Sequence, residues 1–198
     1  MTRPTTIYLV RHAQSQPSAD VDEPQWPLSE RGSEQARALV PAMRSLGIAT
    51  LYSSPYPRAI HTLAPLAEAL GKPLIVEHAL HERVLSRRNL GDQWWPTIER
   101  YWRDPEFALD DGESNRACTR RIRDAIDRLA ARHPGKTLAL ASHGNAIALY
   151  LGTIDPGFGF EQWRAMRNPD LFCVRYQDGC ASWDGARLPT VRVESERE

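Results

Sequence analysis

Two histidines, His12 and His143, stand far apart in the chain, each just after a short apolar run. In the stretch IYLVRHAQS (7–15), residues 7–10 read as a short buried strand, and Arg11 and His12 follow its end. The same arrangement recurs at 137–142, where apolar residues 138–141 lead to His143 and Gly144 opens a helix-like stretch. Open α/β sheets bind ligands just outside the carboxyl ends of their strands. A fixed cation beside an imidazole at such a place suits an anionic substrate. The imidazole can serve there as base, metal ligand or nucleophile. Unpaired N–H groups of a helix start at Gly144 would point at whatever His143 faces. Alone, the Arg11-His12 dipeptide reads equally well as a structural pair; the second strand end tips the balance.

Three stretches occur in order: LVRHAQS, SSPYPRAIHT and ASHGNA. They resemble the signature blocks of the histidine phosphatase superfamily, also called the phosphoglycerate mutase-like family, and the resemblance spans residues 5–152. It implies that His12 is the nucleophile, becoming a phosphohistidine, and that His143 holds the phosphoryl oxygens as a cation. It also makes Arg58 a phosphate ligand beside Arg11, although by itself Arg58 reads as a surface arginine. The Gly144 backbone N–H is a further candidate donor, as are Ser15 and Ser18. Ser18 stands where many relatives carry Asn six residues after the nucleophile, and Ala13 replaces a commoner glycine.

The chemistry requires such a set. A phosphoryl group in transfer spreads charge over three oxygens and needs several preorganised donors. An alkoxide leaves badly unless it is protonated, so a carboxylic acid is needed as well. Glu82, in ALHERVLSRRNLGD, falls where the family places its acid; read alone it is a solvated partner of Arg83. Glu113, in DDGES, is the runner-up, with helix capping as its competing role.

The reading that follows is a metal-independent phosphomonoesterase, without cofactor, acting on a small phosphorylated metabolite. Mutase-type transfer between phosphoglycerates and a non-catalytic phosphate- or phosphoprotein-binding module are the alternatives. Family mutases that use a bisphosphoglycerate cofactor generally carry a longer insertion between the acid and the GES-like segment. Here Glu82 and Gly112 are 112 − 82 = 30 positions apart, which favours phosphatase. A docking module has no need of the nucleophile or the acid.

Composition narrows the partners. The chain has 198 residues, 41% hydrophobic and 25% charged, which suits one globular domain. Its 25 Lys and Arg balance 25 Asp and Glu, so no basic excess points to nucleic acid or a membrane surface. The N-terminal apolar run is too short for a signal peptide, and a cytoplasmic location is expected. Cys118, Cys173 and Cys180 are odd in number and unpaired in spacing, so they read as thiols. The spacing of His78, His81 and Glu82 does not match zinc-binding helices, and no metal is expected. The oligomeric state stays open, a homodimer being one alternative.

Positioning these side chains calls for a single α/β domain. Alternating strands and helices predict a three-layer sandwich: a mainly parallel sheet, helices on both faces and an antiparallel edge hairpin. Its core covers residues 5–183, with a tail from 184 to 198. The proline-containing loop 14–28 should lie over the site. Ser29 caps a helix running to Leu46, ended by Gly47; another runs from Pro57 to Leu70, ended by Gly71. Interior Pro41 and Pro65 predict a kink, bend or break, since an interior proline costs about 3 kcal/mol. Further strands are expected at 49–53 and 73–77, and helices at 92–103 and 113–132. A hairpin joins 170–176 to 180–183 through Asp178-Gly179. The charged tail from Glu194 is expected to fray. Leaving-group selectivity falls to 16–26 and 84–109, where Trp26, Trp94, Trp95, Arg87 and Arg88 either line a pocket or pack.

Overall fold

The computed structural model of the protein describes residues 3–18 and 20–188. Strands β1 (Thr5–Arg11) and β4 (Thr137–Ser142) lie side by side in parallel, with Arg11 opposite Ser142. The residues that follow them, His12 and His143, therefore leave the sheet at the same end. Strand β2 (Thr50–Ser53) flanks β4, and β3 (Leu74–Val76) flanks β2, both parallel. On the other side, β5 (Asp170–Gln177) and β6 (Cys180–Arg187) are antiparallel, giving the order β3-β2-β4-β1-β5-β6. Asp178 and Gly179 join β5 to β6 with φ of 51° and 79°, the left-handed pair that matches hairpin twist. Strand β6 extends to Arg187, into the stretch read as tail; the predicted fraying from Glu194 lies outside the described residues.

Helices α1 (Glu30–Arg44) and α2 (Pro57–Leu70) cover one face of the sheet. Beyond α3 (Trp94–Arg103), helices α4 (Asn115–Arg132) and α5 (Gly144–Leu151) cover the other, and α6 (Phe160–Arg164) follows. The period of two in the strands decides which residue meets which layer. Ile7, Leu9, Leu138 and Leu140 pack with Ile122, Ile126 and Ile147. Val10, Leu51, Ala139 and Ala141 pack with Leu39, Met43, Leu63 and Leu66 on the opposite face. No helix among the described residues is long and apolar enough to cross a membrane.

The prolines do not break their helices: Pro41 lies inside α1 and Pro65 inside α2. The carbonyl each leaves without an amide partner belongs to an exposed residue, Arg37 or His61, so solvent can satisfy it while the core face stays intact. Helix α4 starts two residues later than the periodicity suggests, because the Ser114 hydroxyl caps it by accepting from the Ala117 N–H at 3.1 Å.

Candidate active site

The two imidazoles meet beyond β1 and β4, their ring centroids 5.2 Å apart. His12 is 8% exposed and His143 fully buried. The backbone N–H of His12 bonds the Ser142 carbonyl at 3.0 Å, which ties the two strand ends together. His12 Nδ1 lies 2.7 Å from the Ala13 carbonyl oxygen. A carbonyl only accepts, so Nδ1 carries the hydrogen and Nε2 keeps its lone pair. Burial, with Arg58 and Arg11 nearby, pushes the His12 pKa down to about 3. Burial and the same arginines hold His143 well below the usual histidine range. Both rings are neutral in the free protein at neutral pH. His143 Nε2 bonds the Ser54 hydroxyl at 2.7 Å, while its buried Nδ1 has no protein partner among the described residues.

The cations come from two layers. Arg11 ends β1, and its NH1 donates to the Met166 carbonyl at 2.9 Å; its Nε is buried and unpartnered among the described residues. Arg58, the second residue of α2, is buried, with Cζ 4.9 Å from the Tyr56 ring centroid. Tyr56 in turn meets the His143 ring edge-on at 4.9 Å. Burial and the charge of Glu23 push the Tyr56 hydroxyl up to about 12, so it stays a neutral donor. Arg58 is held by Glu23, whose carbonyl accepts from NH1 at 2.7 Å and whose carboxylate accepts from NH2.

Gly144 opens α5 against Arg11: a Cβ there would stand 3.2 Å from the Arg11 Cζ and Nε and 3.2 Å from the Trp163 Nε1. Glycine permits that approach. The Ser18 hydroxyl accepts from the Asp20 N–H at 3.1 Å in a local turn. Ser15 pairs through its backbone with Leu28.

Glu82 is not a surface partner of Arg83's guanidinium. One of its oxygens accepts from the backbone N–H groups of Arg83 (2.8 Å) and Ala146 (3.0 Å), the other from the Asn145 backbone (3.1 Å) and side chain (3.4 Å). It thus sits at the start of α5, where N–H groups attract a carboxylate. Glu113 is committed to Arg121 through two bonds of 2.8 and 2.6 Å, and Arg121 also holds the carbonyls of Ala79 and His81. That pair braces the segment that carries Glu82. Trp94 and Trp95 stack at 5.6 Å, and Trp95 stacks on Trp163 at 6.3 Å, an aromatic wall leading towards Gly144. Among the described residues no cluster of three His, Cys, Asp or Glu is placed to hold a metal ion.

Glu23, Ser54, Tyr56, Thr62, Trp163 and Asn168 were not singled out from sequence. Ser54 and Tyr56 lie inside SSPYPRAIHT, so the block containing Arg58 could have flagged them. Thr62, which accepts from the Ala13 N–H at 2.9 Å, ends the same block. Glu23 lies in the loop expected over the site. Asn168 donates to the His12 carbonyl at 2.8 Å from 156 positions away, and no local pattern announces that.

Comparison with known proteins places the chain in a family. A family model, Histidine phosphatase superfamily (branch 1), matches residues 7–186. The probable phosphoglycerate mutase GpmB of Photorhabdus laumondii is 31% identical over 185 residues, covering 86% of this chain and 85% of its own. The counterpart from Cronobacter sakazakii is 29% identical over 185 residues, with the same coverage. Among solved structures, mycobacterial glucosyl-3-phosphoglycerate phosphatase superposes with a TM-score of 0.72 at 22% identity, covering 87% of this chain and 91% of its own. A putative alpha-ribazole-5'-P phosphatase from Escherichia coli gives 0.74 at 21% identity, covering 96% and 99%. Phosphatase or mutase-type activity is what this kinship indicates, and the chain belongs to the histidine phosphatase superfamily, branch 1.

Proposed function

We propose that the protein is a metal-independent phosphomonoesterase that works through a phosphohistidine at His12. The observation that carries this reading is the pair of rings 5.2 Å apart, with His12 Nδ1 committed to Ala13 and Nε2 free. His12 Nε2 attacks phosphorus; the N–P bond forms as the P–O bond to the leaving alcohol breaks. Arg11, Arg58, the Gly144 N–H and His143 hold the three phosphoryl oxygens. Glu82 delivers a proton to the leaving oxygen. Its carboxylate then takes one from the water that attacks the phosphohistidine, releasing phosphate and restoring His12. Glu82 is favoured over Glu113 because it lies at the start of α5 beside Gly144 and meets neutral amide donors, whereas Glu113 is ion-paired with Arg121.

A phosphorylated substrate should label the wild type on a histidine, and His12→Ala should abolish the label. Turnover should survive a strong chelator. Label on Ser15 or Cys118, or activity restored only by one divalent ion, overturns the assignment. Mutase activity is the second reading, favoured by the names of the relatives near 30% identity. Phosphate release measured against 3- to 2-phosphoglycerate conversion separates the two.

A further inference from the structure

Arg58 is 2% exposed, and two of its three guanidinium nitrogens are engaged by Glu23. Glu23 itself stands at the mouth, its side chain 46% exposed, so it covers the buried guanidinium from the solvent side. It arrives on a braced turn, Glu23–Gln25, rather than on a loose loop. Gln16 N–H bonds the Pro27 carbonyl at 2.9 Å, and the Trp26 indole donates to the carbonyls of Ser18 (3.1 Å) and Val21 (3.2 Å). An arginine N–H that faces a carboxylate cannot at the same time face a phosphoryl oxygen.

We propose that Glu23 is a specificity-determining residue whose carboxylate occupies Arg58 in the free enzyme, yields it to the substrate phosphoryl group, and then stands against the leaving group. This rests on Arg58 being a phosphoryl ligand, as proposed above. Because the turn is braced on both sides, the displaced carboxylate stays in the wall of the site. A leaving group bearing its own carboxylate or a second phosphate meets like charge there. The substrate class is therefore phosphomonoesters of uncharged alcohols, in preference to phosphorylated hydroxy acids and bisphosphates.

The test uses Glu23→Gln, with thermal unfolding to check the fold. If the carboxylate leaves Arg58 free in about one molecule in ten, inorganic phosphate should bind the variant about tenfold tighter by calorimetry. Glycerol 3-phosphate and 3-phosphoglycerate differ chiefly by the carboxylate. Their kcat/KM ratio should shift towards 3-phosphoglycerate by about three- to tenfold in the variant, which loss of structure alone does not produce. If Glu23→Gln does not fold, Trp26→Phe, which loosens the brace, must move phosphate affinity in the same direction. Unchanged or weaker phosphate binding with an unchanged substrate ratio overturns the proposal. Failure of the underlying phosphatase reading looks different: wild-type protein that binds no phosphate and forms no phosphohistidine.

Discussion

At the scale of single residues, the site is a buried place where two imidazoles are kept neutral by burial and by two arginines. A phosphate dianion reverses that balance, because it adds the missing counter-charge. Phosphate binding near pH 8, where the ligand is already the dianion, should therefore take up protons, seen as a binding heat that varies with the ionisation heat of the buffer; a heat independent of buffer would count against the assignment. The same shift affects stability. The His12 pKa is lower in the folded state than its ordinary value of 6.5, so the unfolded chain binds the proton first. Its contribution is intact above pH 6.5 and is lost as pH falls towards about 3, at up to about 1.4 kcal/mol per pH unit. Urea unfolding at successive pH values should show wild type losing more than His12→Asn. Glu82 makes a leaving-group prediction. Glu82→Gln removes the proton, so the first step with alkyl phosphates should fall about 10²–10⁴-fold, and much less with p-nitrophenyl phosphate in burst kinetics. Equal losses on both esters would move the acid role elsewhere.

At the scale of elements, Arg11, His12 and His143 depend on how two strands end. The start of α1 packs so closely on the chain after β1 that a Cβ on Gly32 would sit 2.0 Å from the Gln14 carbonyl oxygen. Backbone must move to admit it, and Gln14 is two residues from His12. Gly32→Ala should cost about 1–3 kcal/mol in denaturant unfolding and lower kcat/KM through displacement of His12. An effect on stability alone would mean that the segment can shift without moving His12. Strand–helix alternation was legible because the strands are apolar and the caps, Ser29, Gly71 and Asp178-Gly179, have residue types with few other uses. The break that Pro41 allowed for does not occur, because propensity speaks for a helix interior in general, whereas the carbonyl that loses its partner here belongs to the exposed Arg37.

At the scale of the whole molecule, the convergence of Arg11, His12 and His143 was legible from strand ends, while Arg58 needed the family resemblance. Glu23 on Arg58, Asn168 on His12 and the capping of α5 by Glu82 were not, because they are contacts between segments whose local patterns are silent about each other. The pairing of β1 with β4 also governs how fast the site comes into existence. It joins histidines 143 − 12 = 131 positions apart, so the ladder between them closes a loop containing most of the chain. Helices such as α4 can form from neighbours, but non-local pairing must first overcome loop-closure entropy and is slow. On dilution from denaturant, helical circular dichroism should recover in a fast phase, and phosphatase turnover only in a later one. Simultaneous recovery of the two signals would mean that the central strands pair as early as the helices form.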